Sequence, residues 1–266
     1  MIELYHFPPS TCSQKVRLVL AEKGLSFTPH MVDLSSGGQH APDYVKLNPN
    51  HVVPTLIHDG NVLVESTLIC EYLEDTFPEP PLLPEHPVKR HAARLWTQSI
   101  DHLHAHASAL TFAIGPRRMI IAQGPAAVEA NVAQMVGEKA RASRRSVLEH
   151  GIASPQFQDA LEAFVIALDR METALGAHPW LAGDAFTLAD AAALPYVLRV
   201  DHLSMTPLIE GRPQLADWYA RVQDRQSYDV AVARQLSPMV QVMRAGGAEV
   251  WPEIADLVAT MAKPVN

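Results

Sequence analysis

The first 77 residues switch between two repeats of hydrophobic positions. Ile2 and Leu4 alternate with polar neighbours, and this alternation predicts a short strand. Apolar residues then recur at helical spacing behind Ser10 or Thr11, either of which can cap a helix. Gly24 follows the last of these positions, as is common at the end of a helix. The chain is therefore expected to open with a strand and a helix.

A second strand and a hairpin are predicted next. Residues 27–33 are typical of a strand. Residues 55–58 and 61–64 are apolar runs joined by Asp-Gly at 59–60, which suits a two-residue turn with positive φ. Ser66 can cap the helix that follows the hairpin. The predicted order is βαβ, then a hairpin, then a helix.

The pattern changes after residues 78–87, which hold five prolines and predict a stiff connector. Beyond it no strand is indicated. Thr187 stands three residues before Asp190, an arrangement that resembles a capping box. Residues 237–266 are only weakly patterned. Helical periodicity dominates elsewhere, over 88–114, 126–149, 156–175, 188–200 and 214–224. The sequence thus predicts a small α/β unit followed by an all-helical unit.

Composition narrows the possible functions. The chain has 266 residues and a formal net charge of −8, which argues against a nucleic-acid-binding protein. Cys12 and Cys70 are the two cysteines, too few for a secreted disulfide framework. The N-terminal residues lack the pattern of a signal peptide, and no apolar run is long enough for a membrane span. We therefore expect a protein of the reducing cytoplasm.

A metal site is also not expected. His102, His104 and His106 lie on one predicted helix, and the first and last share a face. No further ligand follows at a diagnostic spacing, so a polar helix face is the preferred interpretation.

Several strings of residues resemble those of soluble glutathione S-transferases. The strings are PSTCSQKVRLVLAEKG after the first strand, Asn48-Pro49 followed by Val53-Pro54, Glu65-Ser66-Thr67, and FTLADAAALP. The segment HDGNVLVESTLICEYLEDTFPE is similar to the bacterial branch that contains the glutathione-dependent β-etherases of lignin breakdown and their fungal relatives. The resemblance extends to about residue 230.

The resemblance implies a fold and a division of labour. The fold would be an α/β thioredoxin-like N-terminal domain (βαβ-ββα) joined to an all-α C-terminal domain. Residues 1–80 would bind glutathione, 78–87 would be the linker, and 88–266 would carry the pocket for the electrophile. Glutathione would be a co-substrate, no metal would be needed, and the protein would be a homodimer.

Candidate glutathione ligands lie in the first domain. Ser66 at a helix start presents a hydroxyl and backbone N–H groups to the γ-glutamyl carboxylate, and Glu65 can pair with the α-amino group. The simpler interpretation of this pair is a helix cap beside an exposed acid. Val53, before a cis Pro54 in the family, would offer its backbone to the cysteinyl unit.

The glycyl end of glutathione is assigned by the resemblance alone. Gln39 and His40 match positions that hold the glycyl carboxylate in relatives. This chain has His51 in place of the glycine in the family's common Asn-Pro-x-Gly-x-Val-Pro loop, so we expect a hydrogen bond to the glycyl end to be missing.

Thiol activation has four neighbouring candidate residues, Ser10, Thr11, Cys12 and Ser13. A free thiol with a pKa of about 8.5 is mostly protonated at neutral pH, and a hydroxyl donor near a helix N-terminus stabilises the thiolate. Ser10 matches the serine of several serine-type classes, and Ser13 matches that of the etherase-like branch. Both are kept as candidates, with Tyr5 a weaker one. Cys12 supports a rival reaction, thiol-disulfide reduction through a mixed disulfide with glutathione.

The predicted function is transfer of glutathione to a hydrophobic electrophile, with cleavage of aryl β-ethers as one possible reaction. The alternatives are a disulfide reductase using Cys12 and a non-catalytic binding protein. Apolar surface for the electrophile is expected on the first long helix of the second domain, from Trp96, Ile100, Leu103, Leu110 and Phe112. Arg141, Arg144 and Arg145 are expected to pair with Glu138 and Glu149.

Overall fold

A computed structural model describes residues 1–261 of the chain. The described chain forms two compact units. The first contains residues 1–101, 174–195 and 217–237, and the second contains 102–173, 196–216 and the chain from 238 onwards. The last five residues of the predicted helical domain, 262–266, lie outside the described part.

The first unit is built on a four-stranded mixed sheet. Its strands are β1 (Ile2–His6), β2 (Thr28–Met31), β3 (Thr55–His58) and β4 (Asn61–Leu63), in the order β2-β1-β3-β4. β1 runs parallel to β2 and antiparallel to β3, and β3 forms a hairpin with β4. Asp59 and Gly60 take φ values of 49° and 83°, as a two-residue hairpin turn requires. The predicted strands and hairpin are confirmed.

Four helices of residues 1–101 belong to the same unit as this sheet. They are α1 (Thr11–Glu22), α2 (Pro42–Leu47), α3 (Ser66–Thr76) and α4 (Pro87–Asp101), with a 3-10 turn at Gly38–His40. The α1 stripe of Val16, Val19 and Leu20 is fully buried, as the helical spacing predicts. α1 and α3 pack against each other, so the start of one helix is positioned relative to the other. No pattern in the sequence predicted α2.

A buried ion pair fixes the proline-rich segment to α1 and α3. Lys23 Nζ lies 2.7 Å from Glu74 Oε2, and both side chains are almost completely buried. The ammonium also donates to the carbonyl oxygens of Phe77 and Pro80. Glu74 accepts from the backbone N–H groups of Leu82 and Leu83. The predicted connector is therefore held by charge-assisted hydrogen bonds.

The rest of residues 1–261 is helical. The helices are α5 (Leu103–Ile114), α6 (Arg117–Ala122), α7 (Pro125–Ala133), α8 (Glu138–His150), α9 (Pro155–Leu175), α10 (Leu188–His202), α11 (Pro207–Glu210), α12 (Pro213–Gln223), α13 (Gln226–Ala231) and α14 (Pro238–Met261). The helix predicted over 88–114 breaks at His102, and the one over 126–149 breaks before Gly137, whose φ is 90°. Within the described residues, no helix is long and apolar enough to cross a membrane.

The predicted cap of α10 is confirmed. Asp190 is completely buried, and its carboxylate accepts from the Thr187 N–H at 2.9 Å and from the Thr187 hydroxyl. The same carboxylate accepts from the Leu181 N–H and from the indole N–H of Trp218. Burial raises the pKa of Asp190, and these four donors oppose that rise.

Helix α14 occupies most of the weakly patterned C-terminal segment. Two consecutive glycines let it approach its neighbours closely. A Cβ on Gly246 would lie 2.3 Å from the Ile114 carbonyl oxygen, and one on Gly247 would lie 1.7 Å from the Leu203 carbonyl oxygen. Residues this small interrupt the hydrophobic repeat, which explains why the sequence pattern is weak although the helix packs tightly.

Candidate active site

The first turn of α1 brings the predicted hydroxyl groups together. Ser10 is the N-cap of the helix, with extended backbone angles, and its Oγ accepts the N–H of Ser13 at 3.3 Å. The side chain is half-buried, and its own hydroxyl proton remains available to a partner on the open side. Ser10 therefore combines an O–H donor with the positive end of a helix dipole.

The other candidates of this turn are placed differently. Ser13 is completely buried, and its Oγ accepts the backbone N–H of Phe7 at 3.3 Å. Cys12 is half-buried and is not part of a disulfide. Thr11 is buried, and Tyr5 stacks on the ring of His30 with centroids 4.4 Å apart. Of the two favoured serines, Ser10 is the one that a ligand can reach in this conformation.

The start of α3 holds the second group of candidates. Glu65 is the N-cap, with φ 68° and ψ 103°, so a non-glycine residue sits in the left-handed half of φ space. Strain of this kind is common at ligand sites. The exposed Glu65 carboxylate accepts from Asn50 Nδ2 at 3.4 Å. Ser66 was predicted as the cap, but it is the buried first residue of the helix, and its backbone N–H is one of the donors that have no partner within the helix.

A buried ammonium lies beside this helix start, and the sequence did not predict it. Lys15 is 1% exposed, and its Nζ donates to Thr67 Oγ1 at 2.8 Å and to Asp101 Oδ1 at 2.7 Å. The Thr67 hydroxyl donates to the same Asp101 oxygen at 2.8 Å. Since Thr67 follows Ser66, the network joins α1, α3 and α4 at the residue next to the predicted carboxylate anchor. A lysine within an apolar helix pattern gives no signal of such a role.

The loop before β3 presents the predicted backbone groups. The Val53–Pro54 peptide bond is cis, as the resemblance implied. Both residues are buried, and the carbonyl oxygen of Val52 is held by the Tyr44 hydroxyl at 2.6 Å and by Asn48 Nδ2 at 2.9 Å. These bonds fix the loop just before Val53.

The predicted glycyl-end residues belong to a short chain of hydrogen bonds. Gln39 Nε2 lies 3.1 Å from His40 Nε2, and His40 Nδ1 lies 3.1 Å from Nδ1 of His51. The two imidazole rings are tilted by 39°, with centroids 5.1 Å apart. His51, which replaces the family's glycine, has φ 57° and thus keeps the backbone conformation that glycine adopts readily.

The apolar candidates for the electrophile divide by burial. Ile100, Leu103 and Leu110 are core residues, whereas Trp96 and Phe112 are half-buried. In the second unit, the Arg144 guanidinium lies 3.2 Å from the centroid of the Phe112 ring, a cation–π contact.

The arginine group does not pair as the sequence suggested. Arg145 binds both carboxylate oxygens of Glu129, rather than Glu138 or Glu149. Arg144 donates to Asn131 Oδ1 at 3.3 Å, and burial lowers the pKa of Arg144 to about 10. The partner of Arg145 therefore comes from α7, whereas the sequence suggested an acidic residue of α8.

The break in the helix separates His102 from His104 and His106, which both lie on α5. His102 is the residue between α4 and α5, and His104 Nδ1 lies 3.4 Å from the Tyr196 hydroxyl. Among residues 1–261, no three histidine, cysteine or acidic side chains are grouped as metal ligands would be.

The comparisons with known sequences give a consistent result. A glutathione S-transferase N-terminal domain model matches residues 4–81, and a glutathione S-transferase C-terminal domain model matches residues 127–221. The chain is 32% identical to Protein LigF of Sphingobium sp. (strain NBRC 103272 / SYK-6), over 71% of this chain and 75% of that protein. It is 30% identical to tetrachloro-p-hydroquinone reductive dehalogenase of Sphingobium chlorophenolicum, over 86% and 95% of the two chains.

Solved structures show the same similarity. The crystal structure of beta-etherase LigF from Sphingobium sp. strain SYK-6 matches with a TM-score of 0.76 and 29% identity, over 86% of this chain and 98% of that one. Glutathione transferase F2 from Populus trichocarpa shares the fold with a TM-score of 0.69 and 24% identity, over 88% and 99% of the chains.

Proposed function

Because the chain belongs to the glutathione S-transferase family, we propose that it binds glutathione in its first unit and uses the thiolate to attack a hydrophobic electrophile. The observation that supports this proposal is that one unit holds Ser10 at the start of α1, a cis Val53–Pro54 bond before β3 and Ser66 at the start of α3, with α1 and α3 packed together. A tripeptide with a thiol and two carboxylates needs this combination of a hydroxyl donor, an extended backbone edge and a helix N-terminus.

Each part of the site has a role in the proposed complex. Ser66 and the N-terminus of α3 bind the γ-glutamyl carboxylate, and Glu65 binds the amino group. Lys15, paired with Asp101, holds the Thr67 hydroxyl and so helps to position the helix start that carries Ser66. Gln39 and His40 bind the glycyl carboxylate. The backbone of Val53 pairs with the cysteinyl unit, which directs the thiol towards α1.

Ser10 activates the thiol in this proposal. Its hydroxyl donates to the sulfur, and the dipole of α1 favours the negative charge, so the bound thiol ionises at a lower pH than free glutathione. Ser13 acts behind it, since its buried hydroxyl holds the Phe7 N–H and its own N–H orients Ser10. In this proposal Ser10 contacts the thiol, and Ser13 holds Ser10 and the Phe7 backbone in place.

The specific reaction that we favour is cleavage of a β-aryl ether. The thiolate would attack the carbon that bears the aryl ether, a carbon–sulfur bond would form, and the carbon–oxygen bond would break. The aryloxide would leave with the bonding electrons and take a proton from water. The support is the similarity to LigF, which is described as a beta-etherase.

The test is glutathione-dependent release of a phenol from a β-aryl ether, measured together with conjugation of an aryl halide. Phenol release that requires glutathione and is slower in Ser10→Ala at neutral pH supports the etherase reaction. Conjugation of the halide with no phenol release would restrict the proposal to a general transferase. Failure of both reactions would contradict it.

A second candidate function rests on Cys12. This thiol is half-buried in the first turn of α1, and one relative is called a reductive dehalogenase. In that reaction the Cys12 thiolate would attack a glutathionyl sulfur, release the reduced product, and be freed by a second glutathione as glutathione disulfide. Cys12→Ala would abolish reductase activity and leave conjugation intact. Retention of reductase activity in Cys12→Ala would exclude this candidate.

Two further features follow from the family. We place the protein in the cytoplasm as a homodimer, with glutathione and a hydrophobic small molecule as its binding partners. Sedimentation of the purified protein tests the dimer: a mass of about twice the 29.2 kDa chain supports it, and a mass of one chain contradicts it.

A further inference from the structure

We propose that His51 and His40 form a proton-accepting pair that makes binding of the glycyl end of glutathione dependent on pH. The inference rests on the proposed glutathione site and names a determinant of affinity within it. His51 stands where the family has glycine, so the pair belongs to this chain rather than to the general pattern.

The geometry of the pair limits how many protons it can hold. Both atoms in the contact are Nδ1, at a distance of 3.1 Å. A hydrogen bond at this distance needs one N–H and one lone pair. The pair therefore exists either as two neutral rings or with one added proton. A second added proton would set two N–H groups against each other and break the contact.

Gln39 connects the pair to the rest of the loop. Its Nε2 is 3.1 Å from His40 Nε2, while its buried Oε1 has no hydrogen-bond partner among the described residues. With two neutral rings, the amide donates to His40 Nε2, His40 Nδ1–H donates to His51, and His51 Nε2 carries the outer proton. With one added proton on either ring, His40 Nε2 carries a hydrogen and requires an acceptor. Rotation of the Gln39 amide would supply it with Oε1, the atom that now lacks a partner.

The titratable groups on the neighbouring elements have other partners. On α2, Asp43 pairs with Lys46 at 2.8 Å, and the Tyr44 hydroxyl donates to Val52. In the loop before the 3-10 turn, Asp33 accepts the Ser35 N–H, which holds the pKa of this carboxyl below its usual range.

At the start of α3, the Glu65 carboxylate faces Asn50. None of these carboxylates is hydrogen-bonded to His40 or His51 in residues 1–261, so a ligand carboxylate would be the anion in direct contact with the pair.

The position of the pair fits the glycyl carboxylate. His51 lies two residues before Val53, in the loop whose backbone would bind the cysteinyl unit. The glycine of glutathione is one peptide bond further along the ligand. Both imidazoles are half-buried and therefore open to a ligand on one side. A carboxylate beside them favours the protonated form, and by linkage the protonated pair binds the carboxylate more tightly.

The direction of the pH dependence follows. Imidazole side chains change charge between about pH 5 and pH 8. Because uptake of a proton and binding of the carboxylate favour each other, affinity for the glycyl end is expected to fall as the pH rises. One linked proton limits the fall to about tenfold per pH unit.

The experiment is calorimetric titration of the full chain with S-methylglutathione at pH 7.5, in buffers of different ionisation enthalpy. The methyl group removes the thiol proton, so proton exchange reports the protein. We expect net uptake of part of one proton by the wild type. His51→Gly, which suits the positive φ, is expected to reduce the uptake and weaken binding several-fold; His40→Gln provides a second variant with the same expectation. His178→Gln, on an exposed side chain of the first unit, is expected to match the wild type.

A ligand control separates the glycyl end from the rest of glutathione. S-methylglutathione with its glycyl carboxylate converted to the amide is expected to bind the wild type without proton uptake. Binding with no uptake by the wild type, or equal uptake in His51→Gly, would overturn the inference and leave the glutathione site intact. No binding of S-methylglutathione by the wild type would overturn the proposed function as well.

Discussion

Replacement of Ser10 by alanine distinguishes the role of the half-buried Ser10 from that of the buried Ser13. A hydrogen bond to a charged acceptor contributes about 1.5–3 kcal/mol, and 1.36 kcal/mol corresponds to about one pKa unit. Loss of the Ser10 hydroxyl is therefore expected to raise the pKa of the bound glutathione thiol by about one to two units. Below that pKa, kcat/KM for an aryl halide falls by about 10-fold to 100-fold.

The assay is the pH dependence of kcat/KM in the wild type and the variant. The two curves should converge at high pH, because the thiol is then ionised in both proteins. Ser10→Ala also removes the cap of α1, at a cost of about 1 kcal/mol of folding free energy, which denaturant unfolding measures separately. Ser10→Thr keeps a hydroxyl at the cap and should retain the wild-type pH profile.

Ser13→Ala is the comparison that decides between the candidates. It leaves the buried Phe7 N–H without its acceptor and is expected to lower the free energy of unfolding by about 1–3 kcal/mol, with a small change in the pH profile. The reasoning is refuted if Ser13→Ala shifts the profile and Ser10→Ala does not. In that case the fully buried hydroxyl would have to become exposed when glutathione binds.

Three further predictions concern stability. Glu74→Gln leaves the fully buried Lys23 ammonium without its carboxylate and should cost about 3–5 kcal/mol in urea unfolding; a cost below 1 kcal/mol would show that the pair is dispensable. Burial, with the nearby Arg17 charge, lowers the pKa of His6 to about 4. The unfolded chain therefore binds a proton at a higher pH than the folded chain does. The free energy of unfolding falls by up to about 3 kcal/mol as the pH drops from 6.5 towards 4. His6→Gln should flatten this part of the stability curve, and an unchanged slope would contradict the assignment. Gly247→Ala places a Cβ 1.7 Å from the Leu203 carbonyl oxygen and should lower the free energy of unfolding by at least about 3 kcal/mol. A melting temperature equal to that of the wild type would contradict this close approach.

Much of the first unit could be predicted because its signals are local. The Asp-Gly turn requires positive φ at both residues, and the structure has it at Asp59 and Gly60. The spacing of apolar residues fixed the buried face of α1. The capping residues of α10 lie three positions apart, so the sequence alone identifies them.

The features that could not be predicted depend on distant residues. Lys15 meets Asp101 across 86 positions of sequence, and no local pattern marks a lysine that will be buried. The partner of Arg145 is Glu129 on α7 rather than a neighbour on its own helix. His51 was noticed as a departure from the family loop, but its contact with His40 depends on how two loops fold together. Tertiary packing decides such contacts, and sequence spacing does not report it.

The central claim is that the first unit binds glutathione, and calorimetric titration of the purified protein with glutathione tests it most directly. The account predicts saturable binding that Ser66→Ala and Glu65→Ala each weaken, because the helix N-terminus and the carboxylate hold the γ-glutamyl group. Lys46→Ala, on the exposed face of α2, should bind as the wild type does. No heat of binding at millimolar glutathione, with the protein folded, would contradict the account.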